Sequence, residues 1–281
     1  MAPKLSSKQW ALSHLITVLL LILVLFQFFG IQGKKISVSF LDVGQGDAVL
    51  IQTEEFKNIL IDAGPDGKVV EELSKKLGFF NQKIDLFILT HPDLDHVGGI
   101  LDIMQKYPIE RVMLTGVVSS NQIYNGFLQK LKDGHISIIY PQNNRDLQIG
   151  KNTYLDILYP FTGSSLIGKE AKNVNDTSIA FVLRDLNGAS QMLLTGDAEE
   201  GEERELLLSG QAFTAPIFKL GHHGSKTANT ENFLSATRPE TIIISAGKDN
   251  KFGHPHEETL SRLPTDDQRF TWDGAVDFVV E

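Results

Sequence analysis

From residue 36 onward the chain alternates short apolar runs with polar, glycine-bearing turns and with stretches of helical period. Ile36-Ser37-Val38-Ser39-Phe40-Leu41-Asp42-Val43 alternates as a strand, Gly44-Gln45-Gly46-Asp47 turns, and Ala48-Val49-Leu50-Ile51-Gln52-Thr53 returns, which predicts a hairpin with an acid at its bend. Asn58-Ile59-Leu60-Ile61 reads as a third strand ending at Asp62-Ala63-Gly64, and Val69, Val70, Leu73 and Leu77 give residues 67–79 a helical period. Residues 84–89 and 109–115 read as strands, and residues 100–106 and 121–132 as helices, the second with Ile123, Phe127, Leu128 and Leu131 inward. Further strands are expected at 136–140, 153–159, 178–184, 190–195, 215–220 and 241–245. The alternation predicts an α/β fold with helices outside two sheets.

Ahead of this region, Trp10 to Ile31 is mostly apolar, interrupted only by Ser13, His14, Thr17 and Gln27. Such a run spans ~33 Å as a helix, enough to cross a bilayer. It is longer than the usual apolar core of a signal peptide, and Gly30-Ile31-Gln32-Gly33 offers no clean small-x-small cleavage site. The expectation is an uncleaved membrane anchor in residues 1–33, with a cleaved signal peptide as the alternative, and one globular domain over 34–281. Lys4 and Lys8 before the run nearly balance Lys34 and Lys35 after it, so charge decides orientation weakly.

Residues 1–33 hold two lysines and no acid, leaving 24 basic against 35 acidic residues, a formal charge of −11. That opposes nonspecific binding of a polyanion, which draws on counterion release from a basic surface. The chain has no cysteine, which excludes disulfides, thiolate metal sites and cysteine nucleophiles. Any metal must sit on His, Asp, Glu or Asn.

Thr90-His91-Pro92-Asp93-Leu94-Asp95-His96-Val97-Gly98-Gly99 places four potential metal ligands within six residues behind the apolar strand 84–89. Pro92 holds His91 extended and stops the strand. Alternate side chains of extended backbone share a face, so His91 and Asp93 can aim at one ion while Asp95 and His96, at the turn into a helix, reach a second. Gly98 and Gly99 leave space for that turn. Three later runs also end in candidate ligands: Leu194-Thr195-Gly196-Asp197, Gly221-His222-His223-Gly224-Ser225 and Gly253-His254-Pro255-His256. Strand ends are where layered α/β folds carry ligand-binding loops.

With Phe40-Leu41-Asp42-Val43-Gly44-Gln45-Gly46-Asp47 and Phe252, these motifs resemble the metallo-β-lactamase superfamily, most closely the hydrolase domain of the ComEC competence family, over residues 36 to about 280. The resemblance implies a four-layer αββα sandwich with a dinuclear site at one edge and hydrolysis of an ester, foremost a phosphodiester. It implies His91 and Asp93 on one divalent ion, Asp95 and His96 on the other, Asp197 bridging both, and His254 as the final ligand. Asp93 stands where the superfamily commonly has a histidine; an oxygen donor there makes Mn2+ as plausible as Zn2+. Asp47 and Asp62 become supports behind the ligands. His222 and His223 become catalytic groups that stabilise phosphoryl charge or protonate the departing alkoxide, so His223→Ala is expected to keep its metal and lose turnover. Asn175 and Ser225 are assigned substrate or supporting duty. The implied partners are a phosphodiester substrate, single-stranded DNA among the candidates, and the membrane through residues 10–31, with the catalytic domain outside the cytoplasm.

Each late motif has a plainer reading. Asp197 followed by Glu200 is a serviceable capping pair for a helix over 198–208. His222 and His223 on an isolated loop are more often packed or solvated than catalytic, His256 reads as a helix-start residue, and Asp47 and Asp62 can bond amides in their own turns. What opposes these readings is charge: three carboxylates drawn to one point repel unless cations neutralise them. Two other functions compete with a nuclease: hydrolysis of a small phosphoester, lactone or β-lactam, which the acidic balance favours, and a catalytically idle fold used for binding.

Overall fold

The structure, a computed structural model, describes residues 6–29, 35–79, 81–143, 145–163 and 165–280. It divides into two units, Met1–Lys35 and Ile36–Glu281. The first holds helix α1 (Ser7–Phe29), 23 residues that extend ~34 Å, with its apolar window over Ser7–Val24 exposed in the structure. It is long and apolar enough to cross a membrane. Residues 30–34, which contain the end of the expected span and the segment considered for cleavage, lie outside the described residues, as does Lys4.

Among the described residues the second unit contains two seven-stranded sheets. The first is built from β1 (Ile36–Phe40), β2 (Val49–Gln52), β3 (Asn58–Ile61), β4 (Leu86–Ile88), β5 (Arg111–Met113) and β6 (Ser137–Ile139). The second takes β7 (Leu147–Gln148), β8 (Thr153–Tyr159), β9 (Ala180–Asp185), β10 (Ser190–Leu194), β11 (Ile217–Lys219), β12 (Thr241–Ile244) and β13 (Gln268–Phe270). The last strand, β14 (Val276–Val280), returns to pair antiparallel with β1. In both sheets an antiparallel half gives way to a parallel half, at β3–β4 in the first and at β10–β11 in the second.

Side chains along a strand alternate between faces, and here both faces are buried. Val38, Phe40, Ile51, Ile61 and Ile88 meet Leu155, Phe181, Met192 and Ile243 in the layer between the sheets. Leu50, Leu60 and Phe87 point the other way, against a cluster that includes Val69, Leu73, Ile100, Ile103 and Phe127. Those last residues come from helices α2 (Lys68–Lys76), α4 (Ile100–Lys106) and α5 (Gln122–Asp133), while α3 (Leu94–Val97) is the short turn between β4 and α4. On the outer face of the second sheet, Val182, Leu193, Phe218 and Ile242 pack with Leu206 of α6 (Glu200–Leu208) and Phe233 of α7 (Glu231–Thr237). Helix α8 (Glu257–Leu260) follows the last histidine motif. The αββα expectation is met, because each sheet must cover two apolar faces and only the outward ones are left for helices.

Close packing of backbone fixes the ligand-bearing turn. A Cβ on Gly98 would lie 2.0 Å from the Pro65 carbonyl oxygen, and one on Gly99 2.3 Å from that of Asp66. The cap of α5 adds a tie: Asn121 accepts from the amides of Ile123 and Tyr124 while its Nδ2 donates to the Pro92 carbonyl at 3.0 Å.

Candidate metal centre

The residues of interest follow the C-terminal ends of β1, β3, β4, β10, β11 and β12, which open on one edge of the sandwich. Asp95, His96, Asp197 and His223 bring ligand atoms within 4.8 Å of one another. Asp197 Oδ2 is the hub, 3.2 Å from His96 Nε2, 3.2 Å from His223 Nε2, 3.8 Å from His222 Nε2 and 4.0 Å from His91 Nε2. Asp95 Oδ2 lies 3.3 Å from His223 Nε2.

The outer nitrogens of His96 and His223 have partners that decide their donor role. His96 Nδ1 meets the Asp62 carboxylate at 2.8 Å, and His223 Nδ1 meets the Ser245 carbonyl at 2.8 Å; both partners only accept, so both Nδ1 atoms donate. His91 Nδ1 faces Thr90 Oγ1 at 3.1 Å and Ser178 Oγ at 3.4 Å. Thr90 donates to Asp62 at 2.7 Å, so its oxygen can accept from His91, while Ser178 accepts the Asp197 amide at 3.0 Å and keeps its own hydroxyl proton. The Nε2 atoms of all three rings face the centre, where a cation can replace the protons carried by His96 and His223. His91, His96 and His223 Nε2 and Asp197 Oδ1 are buried without a hydrogen bond. Buried polar atoms are rarely left so, and imidazole nitrogens and carboxylate oxygens with fixed outer partners form the donor set of a Zn2+ or Mn2+ site.

Electrostatics points the same way. Burial works against the charge of His96 and His223, yet the carboxylates of Asp197 with Asp62 or Asp47 lift both well above the ordinary imidazole range. Burial, followed by the charge of His96, lowers His91 to about 3. Burial opposes ionisation of Asp95 and Asp197, but the histidines around them prevail, taking Asp95 to about 2 and Asp197 well below its usual value. The pocket therefore holds ionised acids and collects positive charge, whether protons or cations.

Behind the centre stands a second layer. Asp62 takes the left-handed conformation (φ 58°), ties the Thr90 amide at 2.8 Å and orients His96. Asp47 pairs with the fully buried ammonium of Lys219, which also sits 3.8 Å from Asp197 Oδ1, and lies 3.4 Å from His223 Nδ1. Lys219 was not singled out from the sequence; a lysine ending the apolar strand Ile217-Phe218-Lys219 was the available signal. Glu199, also missed, sits with Oε1 3.0 Å from His222 Nδ1, and is held by Thr227 Oγ1 at 2.9 Å, Asn173 Nδ2 at 3.0 Å and Asn175 Nδ2 at 3.5 Å. Nothing in the local pattern set it apart from the acids that follow.

The remaining sequence-named residues fall as follows. Asp93, half-buried, is raised by burial and then by the Asp95 charge. Asp197 does not cap α6, whose N-cap is Glu199; it turns inward instead. His222 and His223 occupy consecutive left-handed positions (φ 45° and 53°), a strained turn that sends them apart: His223 is buried in the ligand group and His222 faces outward toward Glu199. His254, expected as the last ligand, does not enter that group. Its ring lies 5.3 Å from that of His222 and 5.7 Å from that of Phe252, with Gln45 Nε2 3.5 Å from its Nδ1. His256 is the N-cap residue of α8 and accepts the Lys226 amide at 3.1 Å. Ser225 turns to Thr227 Oγ1 at 2.9 Å, away from the ligands.

Paired sheets clad in helices, with an imidazole–carboxylate centre at the strand ends, define the metal-dependent αββα hydrolases. Residues 41–248 match the family model of the Metallo-beta-lactamase superfamily, and the chain belongs to that superfamily. It is related to competence proteins: 28% identical to ComE operon protein 3 of Bacillus subtilis over 80% of this chain and 30% of that one, and 29% identical to Recombination protein 2 of Haemophilus influenzae over 88% and 29%. Competence protein ComA of Neisseria gonorrhoeae is 27% identical over 82% and 30%. The chain thus spans less than a third of the length of these relatives. Among solved structures, CmlA, a diiron beta-hydroxylase from Streptomyces venezuelae, shares the fold with a TM-score of 0.53 at 13% identity, over 88% of this chain and 55% of that one. The fold binds divalent metals, often two, and the present donor set fits that use.

Proposed function

We propose that this chain is a metal-dependent phosphodiesterase that cleaves single-stranded nucleic acid, held to a membrane by α1 with its catalytic unit outside the cytoplasm. The observation that carries the hydrolase reading is the set of three buried imidazole Nε2 atoms that converge on Asp197 Oδ2. His91, His96, His223, Asp95 and Asp197, with Asp93 beside them, would hold two divalent ions. Bound there, such ions supply Lewis acidity to phosphoryl oxygens and water acidified toward neutrality. The chain's own part is orientation and proton movement: Asp62 and Ser245 hold two ligand rings, and Glu199 holds His222 where its Nε2 can deliver a proton to the departing oxygen. The relatives' names, which speak of competence and recombination, support a nucleic-acid substrate.

The formal charge of −11 on residues 34–281 favours a second reading, hydrolysis of a small phosphoester, lactone or β-lactam. The test is elemental analysis of the full chain in detergent, followed by bis-p-nitrophenyl phosphate, single-stranded DNA and nitrocefin side by side. Bound Zn2+ or Mn2+ with turnover of both phosphodiesters is expected; turnover of nitrocefin alone would reject the phosphodiesterase reading.

A further inference from the structure

Beside the centre, the loop after β12 makes a platform that the hydrolytic machinery does not use. Asn250 organises it: Oδ1 accepts the amides of Phe252 and His254, each at 3.1 Å, and Nδ2 donates to the carbonyls of Gly247, at 2.8 Å, and His254. Gln45, from the β1–β2 turn, fastens the loop from below, its Oε1 accepting the Gly247 amide at 3.2 Å and its Nε2 facing His254 Nδ1. So braced, Phe252 stands 51% exposed. Its ring lies near-parallel to that of His254, centroids 5.7 Å apart at 22°, and His254 in turn meets His222 at 5.3 Å. The Lys251 ammonium is 4.9 Å from the Phe252 ring centroid. Lys248 of the same loop and Lys226 are exposed, and Asp249 is the acid of the 247–251 loop.

The half-exposed ring, held by four loop hydrogen bonds, is stacked on His254 and has the long, exposed Lys251 side chain over it, an arrangement that suits a flat, anionic partner able to take the place of the ammonium on the ring. We propose that Phe252 is a stacking platform for one nucleobase of a single-stranded nucleic acid, the base replacing the Lys251 ammonium over the ring and Lys251 pairing with the adjoining phosphate. The ladder Phe252–His254–His222 sets that base three ring spacings from the proton-delivering His222. The inference rests on the phosphodiesterase reading and adds a base-binding subsite to it. Stacking tolerates every base, so the platform gives preference for single strands without preference for sequence.

The test uses the full chain as purified in detergent and a fluorescein-labelled trinucleotide with phosphorothioate linkages, which keep the negative charge and resist cleavage, beside its counterpart lacking the bases. Fluorescence anisotropy should show the wild type binding the base-bearing trinucleotide roughly ten-fold tighter than the abasic one. Phe252→Ala should abolish that ratio and Phe252→Trp should restore it. A ratio that survives Phe252→Ala, or a wild type without preference, overturns the platform. Failure of the phosphodiesterase reading shows separately, as absent hydrolysis of bis-p-nitrophenyl phosphate by the wild type.

Discussion

Asp62 Oδ2 lies 2.8 Å from His96 Nδ1, and through that contact an aspartate at the end of one strand fixes a ring presented by the turn after another. The carboxylate never reaches the centre itself. Asp62→Ala should lower metal affinity about 10–100-fold while the fold persists, because the His96 ring loses its anchor and its tautomer. Isothermal titration with zinc reads this directly, and wild-type affinity in the variant would contradict the assignment.

His223 and His254 part company in the structure, which changes what their removal should do. His223→Ala is expected to lose bound metal along with activity, since its Nε2 lies 3.2 Å from Asp197 and 3.3 Å from Asp95. His254→Ala should retain the metal. Elemental analysis of the two purified variants separates this from the sequence-based expectation, in which His254 was the final ligand and His223→Ala kept its metal with reduced turnover.

Lys219 is buried among acids, its ammonium paired with Asp47. Lys219→Met leaves Asp47 charged in the interior and should cost about 3–5 kcal/mol, whereas Lys219→Met with Asp47→Asn should recover a large part of that loss. Urea unfolding of the three proteins measures it. Equal destabilisation of the single and double variants would show that the pair is not coupled.

Metal-free protein should lose stability as pH rises. His96 and His223 ordinarily titrate at 6.5 but are raised well above it in the fold, so their stabilising contribution is complete below 6.5 and disappears as pH climbs through the raised values. Asp95 and Asp197 do not alter that window, since their lowered values make their contribution complete above 3.8. The urea midpoint of chelator-treated protein should therefore be higher at about pH 6 than at about pH 9. Because cations displace those protons, zinc binding should release acid and tighten with pH, as a pH-stat titration would record.

Gly46 (φ 139°) lies against the ligand turn so closely that a Cβ there would be 2.2 Å from the Asp95 carbonyl oxygen. Gly46→Ala should push the turn outward, costing about 1–3 kcal/mol and weakening metal binding together. Unchanged thermal stability would refute the contact.

Much of the architecture was legible one segment at a time. The strand over 153–159, the strand over 58–61 and the helix over 100–106 appear with the expected bounds, because both sheet faces are buried and the helices face one core, so period and apolarity agree. Val276–Val280 was not read as a strand. Its burial alternates only weakly at a sheet edge, and its partner β1 lies at the other end of the chain. Spacing also located the ligand cluster His91 to His96, since four donors on one short turn need no distant information.

The sequence by itself determined the alternation of strands and helices, the apolar leader and the presence of donor residues at strand ends, all consequences of local period and side-chain chemistry. Tertiary structure alone decided which donors converge. Whether His223 or His254 faces Asp197 depends on two left-handed residues in one turn and on a loop braced by Gln45 from the opposite sheet. Glu199 and Lys219 acquire their partners for the same reason: an ionic contact is set by through-space distance, and several strands folded side by side bring together groups that chain spacing keeps far apart.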